Sequence, residues 1–204
     1  MIPKDNYNNQ VFINCPFDDN YSDLYRACIF AILDSGFIPR CSKEINNANS
    51  TRIDNIVKLI KECRYGIHDL SRVELGENGL PRFNMPFELG IFYGAQRFGN
   101  DEHRKKCSLI LEKEQYRYQT FISDISGIDV NPHENTTNIL ITKVRDWLKT
   151  ASRRTTIPSS AEINTRFTQF QTQIRQLCNN QGEEYDGMSY IDLVDNMSDW
   201  LKLN

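Results

Sequence analysis

Short apolar, β-prone runs alternate with longer segments of helical periodicity over the first 150 residues of this chain. The runs predict five strands, the last weaker than the others, at 10–15, 37–41, 64–71, 107–112 and 127–132. The segments between them repeat apolar residues at helical spacing, which predicts helices at 20–36, 50–63, 85–98 and 136–150. This alternation is typical of a parallel sheet with helices on both faces. We expect a flavodoxin-like three-layer α/β sandwich with the strand order 2-1-3-4-5.

The pattern changes after residue 150. Residues 151–160 are rich in Ser, Thr and Arg and predict a linker, and helical segments follow at 159–178 and 190–203. We therefore divide the chain into an α/β domain at 1–150 and a linker with a helical tail at 151–204.

The first tail helix has one apolar face, formed by Phe167, Phe170, Ile174 and Leu177. A pair of helices cannot bury such a face alone. The face predicts that the tail mediates self-association or docks to a regulatory protein, and packing on its own domain is the alternative.

The composition narrows the class of protein. The net charge of -3 argues against binding of nucleic acid or a membrane surface by charge alone. The first ten residues lack a basic start followed by an apolar core, and no apolar run is long enough to span a bilayer, so we expect a cytoplasmic protein. Six scattered cysteines and three distant histidines predict buried, reduced thiols and no metal site.

The strand ends indicate where a ligand would bind. In open parallel sheets, ligands bind beyond the carboxyl ends of the strands, at the point where the connections diverge. The first strand ends in "NCPFDDNY" and the third in "HDLSR", and the loop after the third leads to the helix that carries Glu88. If the first and third strands are neighbours, Asn14, Asp69 and Glu88 converge on one crevice.

The residue types at these ends suit a nucleotide. Asn14 could hydrogen-bond a sugar or a base, and Phe17 and Tyr21 could stack on a ring. Asp69 and Glu88 would supply paired carboxylates. Basic side chains could hold phosphate, namely Arg40, Arg72 and Arg82. The candidate site is completed by neighbours in the same segments, namely Pro16, His68, Asn84 and Phe87.

A simpler, purely structural interpretation exists for each of these residues. Asp69 would only cap the following loop, His68 would be a satisfied histidine at a strand end, and the arginines would be solvated. Glu88 would be a first-turn helix charge favoured by the macrodipole. Its setting between Phe87 and Leu89, beside the crevice, argues against that alternative.

Three segments, "VFINCPF", "GIHDLSR" and "MPFELGIFYGA", together resemble the nucleoside 2-deoxyribosyltransferase-like family, a relative of bacterial TIR-type NAD-cleaving domains. The resemblance covers residues 10–112, and its most specific part is Glu-Leu-Gly followed by a helix of small residues. It implies that Glu88 is the catalytic glutamate, which attacks or electrostatically shields the anomeric carbon of an N-glycosidic bond. It also implies that Asp69 binds sugar hydroxyls.

Two departures from the family pattern bear on the substrate. Phe12 stands where a transferase usually has Tyr, and Arg82 stands where it has an acid. They argue against base exchange between deoxynucleosides, and a basic residue suits a phosphorylated substrate such as a nucleotide or NAD. The resemblance thus implies an N-glycosidase with NAD or a nucleotide as substrate and no cofactor, of the kind that acts as a toxic effector in bacterial antiphage systems. A nucleotide-signal sensor or scaffold module without turnover is the alternative.

Overall fold

A five-stranded sheet forms the centre of the protein. The computed structural model describes residues 6–73, 79, 81–181 and 184–204. The strands are β1 (Gln10–Asn14), β2 (Ile38–Arg40), β3 (Tyr65–Asp69), β4 (Cys107–Glu112) and β5 (Val130–Pro132). All four neighbouring pairs are parallel, and the order is β2-β1-β3-β4-β5. The predicted three-layer α/β fold and its strand order are confirmed.

Helices cover both faces of this sheet. Their bounds are α1 (Ser22–Asp34), α2 (Arg52–Glu62), α3 (Asn84–Phe98), α4 (Thr137–Ser152), α5 (Ser160–Gln181) and α6 (Tyr190–Leu203). One face carries α1 and α4, with α5 and α6 packed outside them, and the other carries α2 and α3. Thr51 caps the start of α2, because its side chain accepts a hydrogen bond from the backbone N–H of Asp54.

Side chains of the central strands alternate between the two faces. Val11 and Ile13 of β1 pack in the core under α1 and α4, whereas Phe12 packs with α2 and α3. The same period of two in β3 turns His68 toward α3 and Asp69 toward α1. Consecutive residues at a strand end therefore reach different layers.

The apolar face of the tail is buried against the sandwich. Phe167, Phe170 and Ile174 are all buried, and the rings of Phe167 and Phe170 lie 5.4 and 5.6 Å from that of Phe30 in α1. Leu177 alone of the predicted face is exposed, at 46%. The tail thus packs on its own domain, which was the alternative to self-association or docking. Self-association or docking through it stays a prediction that this face no longer supports.

Polar bonds also attach the tail to the sandwich. Arg166 of α5 donates to both carboxylate oxygens of Asp34, at 2.9 and 2.8 Å. The Tyr190 hydroxyl of α6 donates to the backbone oxygen of Pro39 at 2.7 Å. The α5 and α6 helices therefore share one core with α1 and α4.

Membrane-spanning helices and metal-binding groups are both absent from the described ranges. None of the helices there is long and apolar enough to cross a membrane. Nor do those ranges bring together three or more His, Cys, Asp and Glu side chains in a group that could hold a metal ion.

Candidate functional site

Asn14 joins the carboxyl ends of β1 and β3 to the first turn of α3. Its Nδ2 donates a hydrogen bond to the backbone oxygen of Met85 at 2.8 Å and lies 3.0 Å from Nδ1 of His68. Because β1 and β3 are neighbours, their ends and the helix that carries Glu88 meet as the sequence predicted. This meeting place is the switch point of the sheet, since α1 leaves β1 on one face and α3 follows β3 on the other.

Glu88 lies on the buried side of α3. Its side chain is 7% exposed, and Met85 and Leu89 beside it belong to the core under α3. Within the described part of the chain, no hydrogen bond or ion pair reaches its carboxylate. Burial raises the pKa of Glu88 to about 7, and the positive charge of Arg52 opposes that rise. The carboxyl group is thus close to half ionised at neutral pH.

The helix start does not determine the ionisation of Glu88. The first turn of α3 holds no acidic residue, and Glu88 lies in the second turn, where the influence of the macrodipole has fallen off. The alternative of a first-turn helix charge is therefore wrong. Desolvation by burial has the largest effect on the pKa of Glu88.

Asp69 is buried on the opposite face of the sheet. Its Oδ1 accepts hydrogen bonds from the backbone N–H of Ser71 at 2.8 Å and from the Ser71 hydroxyl at 2.5 Å. Its Oδ2 accepts the Tyr21 hydroxyl at 2.5 Å and lies 3.0 Å from Nε2 of His133. Burial alone would raise the pKa of Asp69, but the contacts with His133, Ser71 and Tyr21 hold it below its ordinary value.

These contacts change the roles expected of two residues. Asp69 caps the loop after β3, which was the simpler alternative, and the sheet separates it from Glu88, so the structure does not pair the two carboxylates. The ring of Tyr21 is 2% exposed and its hydroxyl is used by Asp69, so it offers no stacking surface. His133 also contacts this carboxylate, and it was not among the site residues predicted from the sequence.

His68 is a buried, neutral histidine. Burial lowers its pKa to about 3, and its ring packs edge-on against Phe92 with the centroids 4.9 Å apart. Its neutral Nδ1 accepts from Asn14, so His68 orients that amide and does not face a ligand.

The three arginines expected to hold phosphate are all paired with acids. Arg72 and Arg82 lie 3.5 and 3.1 Å from the two carboxylate oxygens of Asp18. Arg40 forms an ion pair with Glu44 at 2.6 Å. Each of them therefore has a carboxylate partner, and Arg72 and Arg82 share one.

Aromatic surface lies at the start of α3. Phe83 and Phe87, one turn apart, are 65% and 60% exposed, and Asn84 between them is also exposed. Pro16 is buried, whereas Phe17 is half-buried with its ring edge-on to Tyr25 at 5.4 Å. Phe17 and Phe87 thus remain available to a planar ligand.

A pocket of about 480 Å³ lies beyond the ends of β1 and β2. It is lined by Phe17 and by the 42–55 segment, through Ser42, Lys43, Ile45, Asn46, Asn47, Ala48, Ser50, Arg52 and Asn55. Its volume is within the usual range of small-molecule sites, which is roughly 300–1,000 Å³. Of these lining residues, Phe17 alone was predicted from the sequence to belong to the site.

A larger depression, of about 640 Å³, lies at the start of α6. Its lining consists of Glu184, Gly187, Met188, Ser189, Asp192 and Asn196. It carries two acids and no cation, so we place the candidate site at the pocket beside Phe17.

Comparisons of this chain with protein-family models, curated proteins and solved structures found no match. Fold and site together define a flavodoxin-like α/β protein with a buried acid at the switch point of its sheet and a polar pocket beyond the ends of β1 and β2.

Proposed function

We propose that this chain is an N-glycosidase that cleaves the bond between base and ribose in NAD or a related nucleotide. One observation carries the proposal: Glu88 is a 7% exposed carboxylate for which the described residues provide no partner, at the switch point of the sheet. An unpaired buried carboxylate costs stability, so it is more readily understood as a functional group than as a structural one.

The reaction needs one negative charge near the sugar carbon. When the bond between C1′ and the base nitrogen breaks, its electron pair leaves with the base and positive charge develops on the sugar. The Glu88 carboxylate stabilises that charge, and the low polarity around it strengthens the attraction. The oxygen of a water molecule then bonds to C1′, and its proton passes to Glu88 or to solvent. Nicotinamide leaves as a neutral molecule, so its departure requires no general acid.

Other groups at the site support a nucleotide ligand. Asn14 holds the first turn of α3 against the strand ends, and the exposed rings of Phe83 and Phe87 offer stacking surface for a base. In a cell, unrestrained NAD cleavage would be toxic, which agrees with the antiphage role that the sequence resemblance implies.

The test is release of free base from NAD and from mixed nucleotides, followed by chromatography. We expect Glu88→Gln to lower the rate about a hundredfold or more, since it removes a key electrostatic group and keeps the side-chain shape. Glu102→Gln, which removes an exposed carboxylate, is the matched control and should cleave as the parent does. Equal rates for Glu88→Gln and the parent would refute the proposal.

A second candidate is a nucleotide sensor that binds without turnover. It is favoured by the position of Asp69, which is fully buried and engaged by Tyr21, Ser71 and His133, so that Asp69 does not supply a second carboxylate beside Glu88. Saturable nucleotide binding with no base released over many hours would select this function instead.

A further inference from the structure

Two cations, Lys43 and Arg52, line the pocket beside Phe17. Neither Lys43 nor Arg52 forms an ion pair with any residue that the structure describes. The three arginines that the sequence put forward for phosphate are each held by an acid, Asp18 or Glu44. The 42–55 segment also contains the acids Glu44 and Asp54, and Glu44 is paired with Arg40. Lys43 and Arg52 are therefore the cations in the pocket lining that remain available to an anion.

Lys43 is held by aromatic rings. Its Nζ lies 4.8 Å from the ring centroid of Phe17 and 5.2 Å from that of Tyr25. Cation–π contacts of this kind fix an ammonium group and leave its N–H groups available to an anion. Lys43 is therefore positioned at the pocket wall without losing its charge to a carboxylate.

Neutral donors surround these two cations. Asn55 accepts a hydrogen bond from the Ser50 hydroxyl through Oδ1 at 2.8 Å, which turns its Nδ2 donor group outward from that bond. Asn46, Asn47 and Ser42 add further amide and hydroxyl groups to the lining. The pocket also adjoins the first turn of α2, where the partial positive charge of the macrodipole favours an anion.

The charge of Arg52 connects the pocket electrostatically with Glu88. Arg52 lines the pocket, and its charge also acts on the Glu88 carboxylate. The charge of Arg52 therefore acts on both the pocket and the buried acid.

We propose that this pocket is the phosphate subsite of the protein, in which Lys43 and Arg52 bind the phosphate of a nucleotide. The ligand class is a nucleoside carrying a 5′-phosphate or diphosphate, whose sugar extends toward Glu88. The inference deepens the proposed function and rests on it for the identity of the ligand. It replaces Arg72 and Arg82 as the groups that select a phosphorylated substrate.

Calorimetric titration of the full chain with AMP and with adenosine tests the subsite, because the two probes differ only in the phosphate. We expect the parent to bind AMP at least about tenfold more tightly than adenosine. Arg52→Gln and Lys43→Gln should each weaken AMP binding about tenfold and leave adenosine binding unchanged. Lys43→Arg, which keeps the charge, should restore most of the AMP affinity.

Lys58→Gln is the matched control, since Lys58 is an exposed cation on the same helix outside the pocket. It makes the same change in net charge and should alter neither affinity. Thermal unfolding of every variant shows that the fold is kept.

The subsite is overturned if AMP and adenosine bind alike, if neither binds at millimolar concentration, or if both Gln variants bind AMP as the parent does. The outcome is separate from that of the cleavage assay. Phosphate-dependent binding without base release would leave the subsite in place and reject the glycosidase, whereas cleavage of NAD without the expected discrimination would do the reverse.

Discussion

The Tyr21 hydroxyl donates a 2.5 Å hydrogen bond to Oδ2 of Asp69, and both side chains are almost completely buried. Tyr21 precedes α1, Asp69 ends β3, and His133 on the same carboxylate follows β5. One carboxylate therefore fixes three chain segments at the carboxyl edge of the sheet. Asp69 holds the framework at this edge of the sheet, whereas Glu88 is the acid that we propose acts on a ligand.

Replacing Asp69 by Asn should destabilise the fold by about 3 kcal/mol at neutral pH. An amide cannot accept all of the hydrogen bonds that the carboxylate accepts, and its N–H groups face the donors of Tyr21 or Ser71. Tyr21→Phe, which removes one bond, should cost about 1–2 kcal/mol. Urea unfolding measures both changes.

Asp19→Asn is the control for this pair, since Asp19 is an exposed acid in the same loop. The pH dependence provides a second check. Because the pKa of Asp69 is lowered in the folded state, its stabilisation is full above the ordinary pKa of about 4 and is lost as pH falls through the folded pKa. An Asn variant as stable as the parent at neutral pH would contradict the framework role.

Glu88→Gln should stabilise the fold at alkaline pH. The pKa of Glu88 rises from 4.5 to about 7 on folding, so the folded state holds a proton that the unfolded state has lost between these values. Stability therefore falls as pH rises through this window, by as much as about 3 kcal/mol at pH 8. Gln carries no charge and avoids that loss.

The measurement is the free energy of unfolding of parent and variant at about pH 4 and pH 8. The gain from Glu88→Gln should be present at the higher pH and absent at the lower, while Glu102→Gln shows no gain at either. A variant less stable than the parent at pH 8 would mean that Glu88 makes structural bonds.

The cleavage rate should rise with pH through neutrality. The proposed chemistry needs the ionised carboxylate, so kcat/KM should follow the titration of Glu88, with an apparent pKa of about 7. Arg52 lowers that pKa, so Arg52→Gln should move the rise to higher pH, and Lys58→Gln should leave it in place. If kcat/KM of the parent does not change between pH 6 and pH 8, the ionisation of Glu88 does not control the reaction.

Phe170→Ala should cost about 3–5 kcal/mol of stability. Phe170 is 1% exposed, with its ring 5.6 Å from that of Phe30 and 5.8 Å from that of Trp200. Leu177→Ala is the matched control on the same helix and should change stability by less than about 1 kcal/mol, because Leu177 is 46% exposed. Similar costs for the two variants, measured by urea unfolding, would show that α5 is not part of the core.

The alternation of apolar runs was enough to predict the sheet and its strand order, because parallel strands and crossover helices have different periods. The same pattern misjudged the tail. Residues 27–32 of α1 are all buried, since that helix packs on the sheet at one side and on α5 at the other. The helical spacing in α1 was interpreted as one apolar face against the sheet. That interpretation left no apolar surface on the outer side of α1 for Phe167 and Phe170 to cover.

The sequence predicted which strand ends meet at the site. It did not predict which face of the sheet each side chain occupies. Asn14 and the helix of Glu88 do meet, because residues at the ends of adjacent parallel strands share an edge. Asp69 follows His68 by one position and therefore points to the other layer, which counting by two along β3 would have shown. The charge pairing of Arg72 and Arg82 with Asp18 depends on a loop geometry that no local pattern encodes.

The packing of α5 and α6 over α1 has a consequence for biosynthesis. Residues 160–203 are translated after the whole sandwich, and at typical rates of chain elongation they take roughly 2 to 9 seconds to appear. During that interval the outer side of α1, with Phe30, faces water or a chaperone. The sandwich therefore completes its core only after α5 and α6 have emerged from the ribosome.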